Sequence, residues 1–298
     1  MQSAGGSETT PPDSLPLVTQ ADIRAGLETF GRLQSAGVMV HSSLKSFGRV
    51  EGGSRAVIEA LMDVIGPQGT LMMPSFNHDE IFQEGGPGYY HPGESITTNG
   101  AIPDAFWRMP GVQRSLDPTH PIAAWGKNSL RYTQHHHRTL TMGPESPLGQ
   151  LQRDGGYGLL LGVGYGANTF HHVVEMSTGA PCLGKRSEAC PVVLPDGRRL
   201  LGRTWGWREE ACPLTDHIAY REEMLSRQIE TQIGACRVIL FRLQDCYEVI
   251  AAMLARGRGG FPPCSRCPIR PRRVPQTVES DWDEVNQRPL PGSVAWEY

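Results

Sequence analysis

Several things are missing from this sequence, and each absence narrows its function. No run of about 18 apolar residues occurs, so no segment reads as a membrane-spanning helix. Positive charge is not in excess. The 28 Lys and Arg stand against 31 Asp and Glu, a balance that argues against nucleic acid as a partner and mildly favours a cationic one. The opening stretch, MQSAGGSETTPPDSLP, lacks the basic-then-apolar layout of a signal peptide and is expected to be a flexible leader over residues 1–17. Seven cysteines, an odd number in 298 residues, do not suggest a disulfide framework; reduced thiols and a cytoplasmic location are expected. There is no internal repeat, no Walker A loop, no dinucleotide fingerprint and no G-x-S-x-G elbow, and the last absence sets aside a serine hydrolase.

What is present suits one large α/β domain or two small ones. The 39% hydrophobic content is enough for a sizeable core. Thr19 and Asp22 form a capping-box pattern ahead of a helix reaching residue 34, with Ile23, Leu27, Phe30 and Leu33 on one face. Val38–Val40 and Thr70–Pro74 read as strands on either side of a helix capped by Ser54 and stopped by Gly66-Pro67. That order is a βαβ unit, which predicts parallel pairing. Further helices are expected near 101–108, 214–229 and 245–256, and strands at 121–125, 159–163 and 237–242. VVLPDGRRL is a hairpin signal. The catalytic domain is expected to span 18–260, with 261–298 a Pro- and Arg-rich extension packed on it or partly disordered.

Three stretches could carry chemistry. HSSL ends the first strand, where open α/β sheets bind ligands; its hydroxyls, Lys45 and nearby glycines suit a phosphate, although an ordinary βα loop looks the same. In LLLGVGYGANTFHHVVE, a strand leaves through glycines at 162, 164 and 166, which would let a substrate approach the backbone. With Asn168 as N-cap, His172 and Glu175 fall at i and i+3 on one face, a spacing that suits either a general base with its orienting carboxylate or a structural pair. His171 points about 100° away on that helix and is the poorer candidate. RSLDPTHP offers Arg114, Ser115 and His120 in a proline-stiffened loop. Asp79 and Glu80, with Glu84 and Glu94, could receive a polycation. His135, His136 and His137 read as a solvated helix face. Cys264 and Cys267 have zinc-knuckle spacing that Cys182 and Cys190 could complete, but no metal is assigned.

Taken in order, VMVHSSLKSFGRVEGGSRAVIEALMDVIGPQGTLMMPSF, RSLDPTHPIAAWG, SPLGQL and LLLGVGYGANTFHHVVE resemble the aminoglycoside 3-N-acetyltransferase family, from about residue 20 to 180 and more weakly to 256. The resemblance implies a single α/β domain with a central mixed sheet flanked by helices, distinct from the GNAT acetyltransferases, and acetyl transfer from acetyl-CoA to the 3-amino group of an aminoglycoside, conferring resistance. It places acetyl-CoA on His41, Ser42, Ser43, Leu44, Phe47 and Gly48, with Arg114, Ser115 and His120 lining the channel. It makes His172 and Glu175 the catalytic pair, and Asn168, Asp79 and Glu80 are assigned to the acceptor. The chain departs from the family at Asp117, where His is usual, and at Pro121, where Ser is usual. Alternatives are another amine or secondary metabolite as acceptor, or a non-catalytic CoA- or metal-binding protein. A monomer or homodimer is expected.

Overall fold

The computed structural model describes residues 16–178, 185–186, 189–202, 204–207, 215 and 218–256, together with short strands at 282–283, 288–289 and 296–297. The central sheet contains β1 (Gly37–Ser42), β2 (Thr70–Pro74), β3 (Gln113–Arg114), β4 (Ile122–Gly126), β5 (Tyr157–Leu161), β6 (Gln228–Ile233) and β7 (Cys236–Arg242). Their spatial order is β6-β7-β5-β1-β2-β4-β3. β1 is parallel to both β5 and β2, and every other pairing is antiparallel. The predicted βαβ unit is therefore present, set in a mixed sheet.

Among the described residues, eight helices complete the frame: α1 (Gln20–Glu28), α2 (Gly53–Ile65), α3 (Ala101–Trp107), α4 (Ser129–Thr133), α5 (Pro147–Arg153), α6 (Phe170–Ser177), α7 (Arg221–Met224) and α8 (Leu243–Arg256). The strands alternate between two cores. Val38, Val40, Leu71, Met73, Leu159, Leu161, Val238 and Leu240 pack on the side of α1, α2 and α3. Met39, Met72, Leu160, Ile239 and Phe241 pack on the side of α5, α6 and α8. Both faces of the sheet are covered, which is why its central strands are almost wholly apolar. Each such side chain contributes roughly 1.5–3 kcal/mol on burial. The same parity decides the site: His41 shares the face of Met39, the face on which α6 packs.

The capping box at Thr19 and Asp22 forms as expected. Other expectations need correction. Ser54 does not cap α2; Gly52 does, at φ 77°, because the chain turns back from Arg49–Val50 through left-handed Gly52 and Gly53, a conformation serine avoids. In the stretch expected to be one helix, α7 is a single turn, and Gln228–Ile233 forms an edge strand instead. Pairing of Ile229–Ile233 with Cys236–Leu240 across left-handed Gly234 overrides local propensity. His135–His137 is not a solvated face, since His136 and His137 are buried. The predicted hairpin is present as Cys190–Val193 against Arg199–Gly202. Trp296–Glu297 adds to its outer edge, and Leu17–Val18 lies parallel to Arg49–Val50. Cys182, Cys264 and Cys267 lie outside the described residues, as does most of the expected leader; Cys190 is buried in the hairpin.

Candidate active site

The two strands that meet at the centre of the sheet deliver the site. β1 and β5 run parallel, so both release their chains at the same edge, the place where such sheets bind ligands. β1 opens into the turn Leu44–Phe47, and β5 opens into a glycine loop and then α6. The openings are stitched together. Ser46 Oγ donates to Gly162 O at 2.8 Å, and Ser43 N–H donates to Leu161 O at 2.9 Å. Gly162 sits at φ 67°, and a Cβ there would land on the Ser46 side chain. This glycine is thus spent on loop-to-loop packing rather than on substrate approach; Gly164 meets open space.

A second stitch is made by His41. Its Nε2 receives the Thr169 N–H at 3.5 Å and lies 3.0 Å from Thr169 Oγ1. Asn168 is not the N-cap of α6. The preceding turn, Tyr165–Ala167, delays the helix to Phe170, Thr169 takes the cap position, and an imidazole lone pair from β1 accepts the N–H of that cap residue. The Asn168 amide is buried and turned inward, 3.3 Å from Tyr220 Oη and 3.6 Å from Cys246 Sγ. Burial pushes the His41 imidazole down to about 4. Its folded value lies below the unfolded one, so its contribution to stability is complete above pH 6.5 and is lost as pH falls through about 4. That single group corresponds to about 3 kcal/mol. Melting temperature measured from pH 7.5 to 4 is therefore expected to fall, and to fall less steeply in His41→Gln; an identical slope would remove His41 from the acid response.

On α6, His172 Nδ1 lies 2.8 Å from Glu175 Oε2. The helix spacing brings the pair together as anticipated. Glu175 is 1% exposed, whereas His172 is 28% exposed and reaches the surface of the site. The second carboxylate oxygen accepts the Thr215 hydroxyl at 2.6 Å. Since both oxygens accept hydrogens, the carboxylate fixes the His172 proton on Nδ1 and leaves Nε2 to act as base. Next to His172 lies His171, whose Nε2 is 3.2 Å from His172 Nε2.

The HSSL turn, joined to the start of α6 through His41, leaves polar groups without partners. The first N–H groups of the turn, on Leu44 and Lys45, have no backbone partner among the described residues. Ser42 Oγ is enclosed and makes no hydrogen bond there. Gly48 takes φ 83°, so only glycine closes the turn without strain. Phe47 is 1% exposed and holds the turn to the core.

The RSLDPTHP loop divides. His120 is within electrostatic reach of His172, and its ring lies 4.9 Å from Phe76 and 5.3 Å from His78. Burial drives its imidazole down to about 4 against the pull of Asp117, and nearby His78 and His172 push the same way. Asp117 is wholly buried. Its carboxylate accepts from the N–H groups of Thr119 and His120 and from the hydroxyls of Thr204 and Thr141, which gives this departure from the family a scaffolding job. Ser115 is buried between Ile122 N–H and His136 Nδ1, each at 2.8 Å. Arg114 is a clamp: its guanidinium lies over Trp107 and donates to the carbonyls of Ser75, Ser95 and Ile96. It borders an open groove of about 830 Å³ whose lining includes no residue of the HSSL turn or α6. Asp79 is half-buried and left-handed, and burial with the Asp117 charge raises its carboxyl. Glu80 is exposed. Among the described residues no group of three or more His, Cys, Asp or Glu is arranged to hold a metal.

This geometry has relatives. The family profile described as aminoglycoside 3-N-acetyltransferase matches residues 39–255. An aminoglycoside N(3)-acetyltransferase IV from Salmonella is 36% identical over 242 residues, covering 77% of this chain and 87% of its own. The crystal structure of aminoglycoside acetyltransferase AAC(3)-Xa superposes with a TM-score of 0.70 at 28% identity, over 82% of this chain and 94% of that one. A mutant of AAC(3)-IVa, solved in complex with gentamicin, gives 0.67 at 27% identity, over 81% and 90%. A profile that begins inside β1 and ends inside α8 takes in both halves of the site, and by it the chain belongs to the aminoglycoside 3-N-acetyltransferase family.

Proposed function

We propose that the protein transfers the acetyl group of acetyl-CoA to the 3-amino group of an aminoglycoside, with His172 as general base and Glu175 as its orienting carboxylate. The observation that carries the reading is the 2.8 Å His172–Glu175 contact on α6, tied through His41 to the loop that suits an anionic cofactor. Acetyl-CoA supplies an activated acyl thioester. The turn at Leu44 and Lys45 supplies backbone N–H groups for its phosphates or its polarised carbonyl, and the unpartnered Ser42 Oγ supplies a hydroxyl. His172 Nε2 takes a proton from the amine as the C–N bond forms; the C–S bond breaks, and coenzyme A leaves as a thiolate that takes the proton back from the imidazolium. The buried Glu175 carboxylate balances the charge gained on the ring. No acyl-enzyme is required. Asp79 and Glu80 sit on the loop after β2 and offer negative charge to a polycation. We place the protein in the cytoplasm, where acetyl-CoA is made; no helix among the described residues is long and apolar enough to cross a membrane.

Acetyl-CoA consumption across an aminoglycoside panel, with mass spectrometry and product NMR to locate the new amide, tests the reading. Acetylation at the 3-amino group supports it, and absence of turnover with every amine overturns it. Ser43→Trp, which places an indole at the mouth of the turn, is expected to raise KM for acetyl-CoA by about tenfold or more, the worth of one lost hydrogen bond to a charged group, while changing KM for the amine little. An unchanged cofactor KM would move acetyl-CoA away from this loop.

A further inference from the structure

His171 is 4% exposed, yet its ring meets His172 edge-on, with centroids 4.2 Å apart and planes at 87°. Neighbouring residues on a helix do not ordinarily face each other. The polarity of this contact is set from the His172 end. Glu175 accepts from His172 Nδ1, which leaves a lone pair on His172 Nε2. A hydrogen bond across the 3.2 Å between the two Nε2 atoms therefore carries its hydrogen on His171 Nε2, directed at that lone pair. With its hydrogen there, His171 turns the lone pair of Nδ1 toward the Tyr220 hydroxyl, 3.2 Å away.

We infer that His171 is a positioning residue for the acceptor step: its Nε2–H occupies the lone pair of His172 that the reaction uses, and the incoming amine displaces it. The inference rests on the reading of His172 as general base. An imidazole nitrogen has one lone pair, so His172 Nε2 accepts from His171 or from the substrate, never from both. The contact holds the ring in place while the site waits. It also blunts the base toward water, which would otherwise be activated to hydrolyse the thioester. A primary amine anchored elsewhere on the enzyme can displace the donor, whereas a loosely held water is at a disadvantage.

Two measurements test this. In the unaltered enzyme with ¹⁵N-labelled histidine, NMR should show a hydrogen on His171 Nε2, none on His172 Nε2, and a scalar coupling between the two nitrogens. The coupling should vanish when a substrate aminoglycoside, identified by turnover, is added with free coenzyme A. A hydrogen on His172 Nε2 in the free enzyme, or a coupling that survives saturation with the acceptor, overturns the inference. In His171→Phe, KM for the aminoglycoside should fall about 2–10-fold, the worth of one neutral hydrogen bond, and hydrolysis of acetyl-CoA without amine should rise by a similar factor. A lower kcat with both values unmoved would make His171 structural and overturn the inference as well. Failure of the underlying reading shows differently, as absence of amine acetylation by the unaltered enzyme.

Discussion

His172→Ala is expected to lower kcat by about 10²–10⁴-fold while KM for acetyl-CoA stays within about twofold. The expectation follows from where the ring stands. It is the exposed member of a buried pair, held by Glu175 at Nδ1, so its loss removes the base and leaves the fold intact. The groups that suit the cofactor, namely Ser42 Oγ and the N–H groups of Leu44 and Lys45, belong to a different loop and to no atom of His172. Steady-state kinetics with each substrate varied in turn checks both halves of the statement. Near-complete retention of kcat would take His172 out of the mechanism and direct attention to His120, an imidazole within its electrostatic reach.

Glu175→Gln is expected to cost up to about 10⁴-fold in kcat, the scale seen when a carboxylate behind a catalytic histidine becomes an amide. In the native pair both carboxylate oxygens accept hydrogens, one from His172 and one from Thr215. An amide can still accept from His172, and its NH₂ can be accommodated if the Thr215 hydroxyl rotates, so the shape survives. The negative charge does not, and that charge is what offsets the one appearing on the ring as the amine gives up its proton. Circular dichroism and melting temperature should therefore change little. Glu175→Leu is different: it leaves two donors facing an apolar group at about 1–3 kcal/mol each, so stability falls as well. If Glu175→Gln kept nearly all of its kcat but melted well below the unaltered enzyme, the pair would belong to the scaffold.

Much of this arrangement was legible because its cause is local. The βαβ unit is visible as two apolar runs around an amphipathic helix, and the His172–Glu175 pair follows from the helical period alone. What escaped depends on distance. No local signal shows that His41 accepts from the cap residue of α6, since the partners are 128 residues apart and meet only when β1 pairs with β5. Asn168 has the composition of a cap, but the turn at Tyr165–Ala167 moves the helix start past it. His171 looks misdirected on a helical wheel because the wheel describes where a side chain leaves the backbone, not where a ring on the first turn can reach. The RSLDPTHP loop shows the same limit. Arg114 and Ser115 have the chemistry of ligand-binding residues, but the carbonyls of the loop after β2 and the ring of His136 claim them first. His136 and His137 read as a polar run until the fold buries them.

The stitching of β1 to the start of α6 has a consequence for how the chain acquires its activity. Contacts separated by such a length of chain must overcome a large loop-closure entropy before they repay it, so they form late in folding. The seam of the candidate site is among these long-range contacts: His41 meets Thr169 across 128 residues, and Ser46 meets Gly162 across 116. An intermediate that has built the β1-α2-β2 unit and the β6-β7 hairpin would have most of its secondary structure and no assembled site. Activity in a cell then depends on closure of this seam, which sets the number of competent molecules, as well as on the speed of the chemistry. A change there such as Gly162→Ala, which places a methyl group against Ser46, would reduce resistance by lowering the number of competent molecules rather than the speed of each.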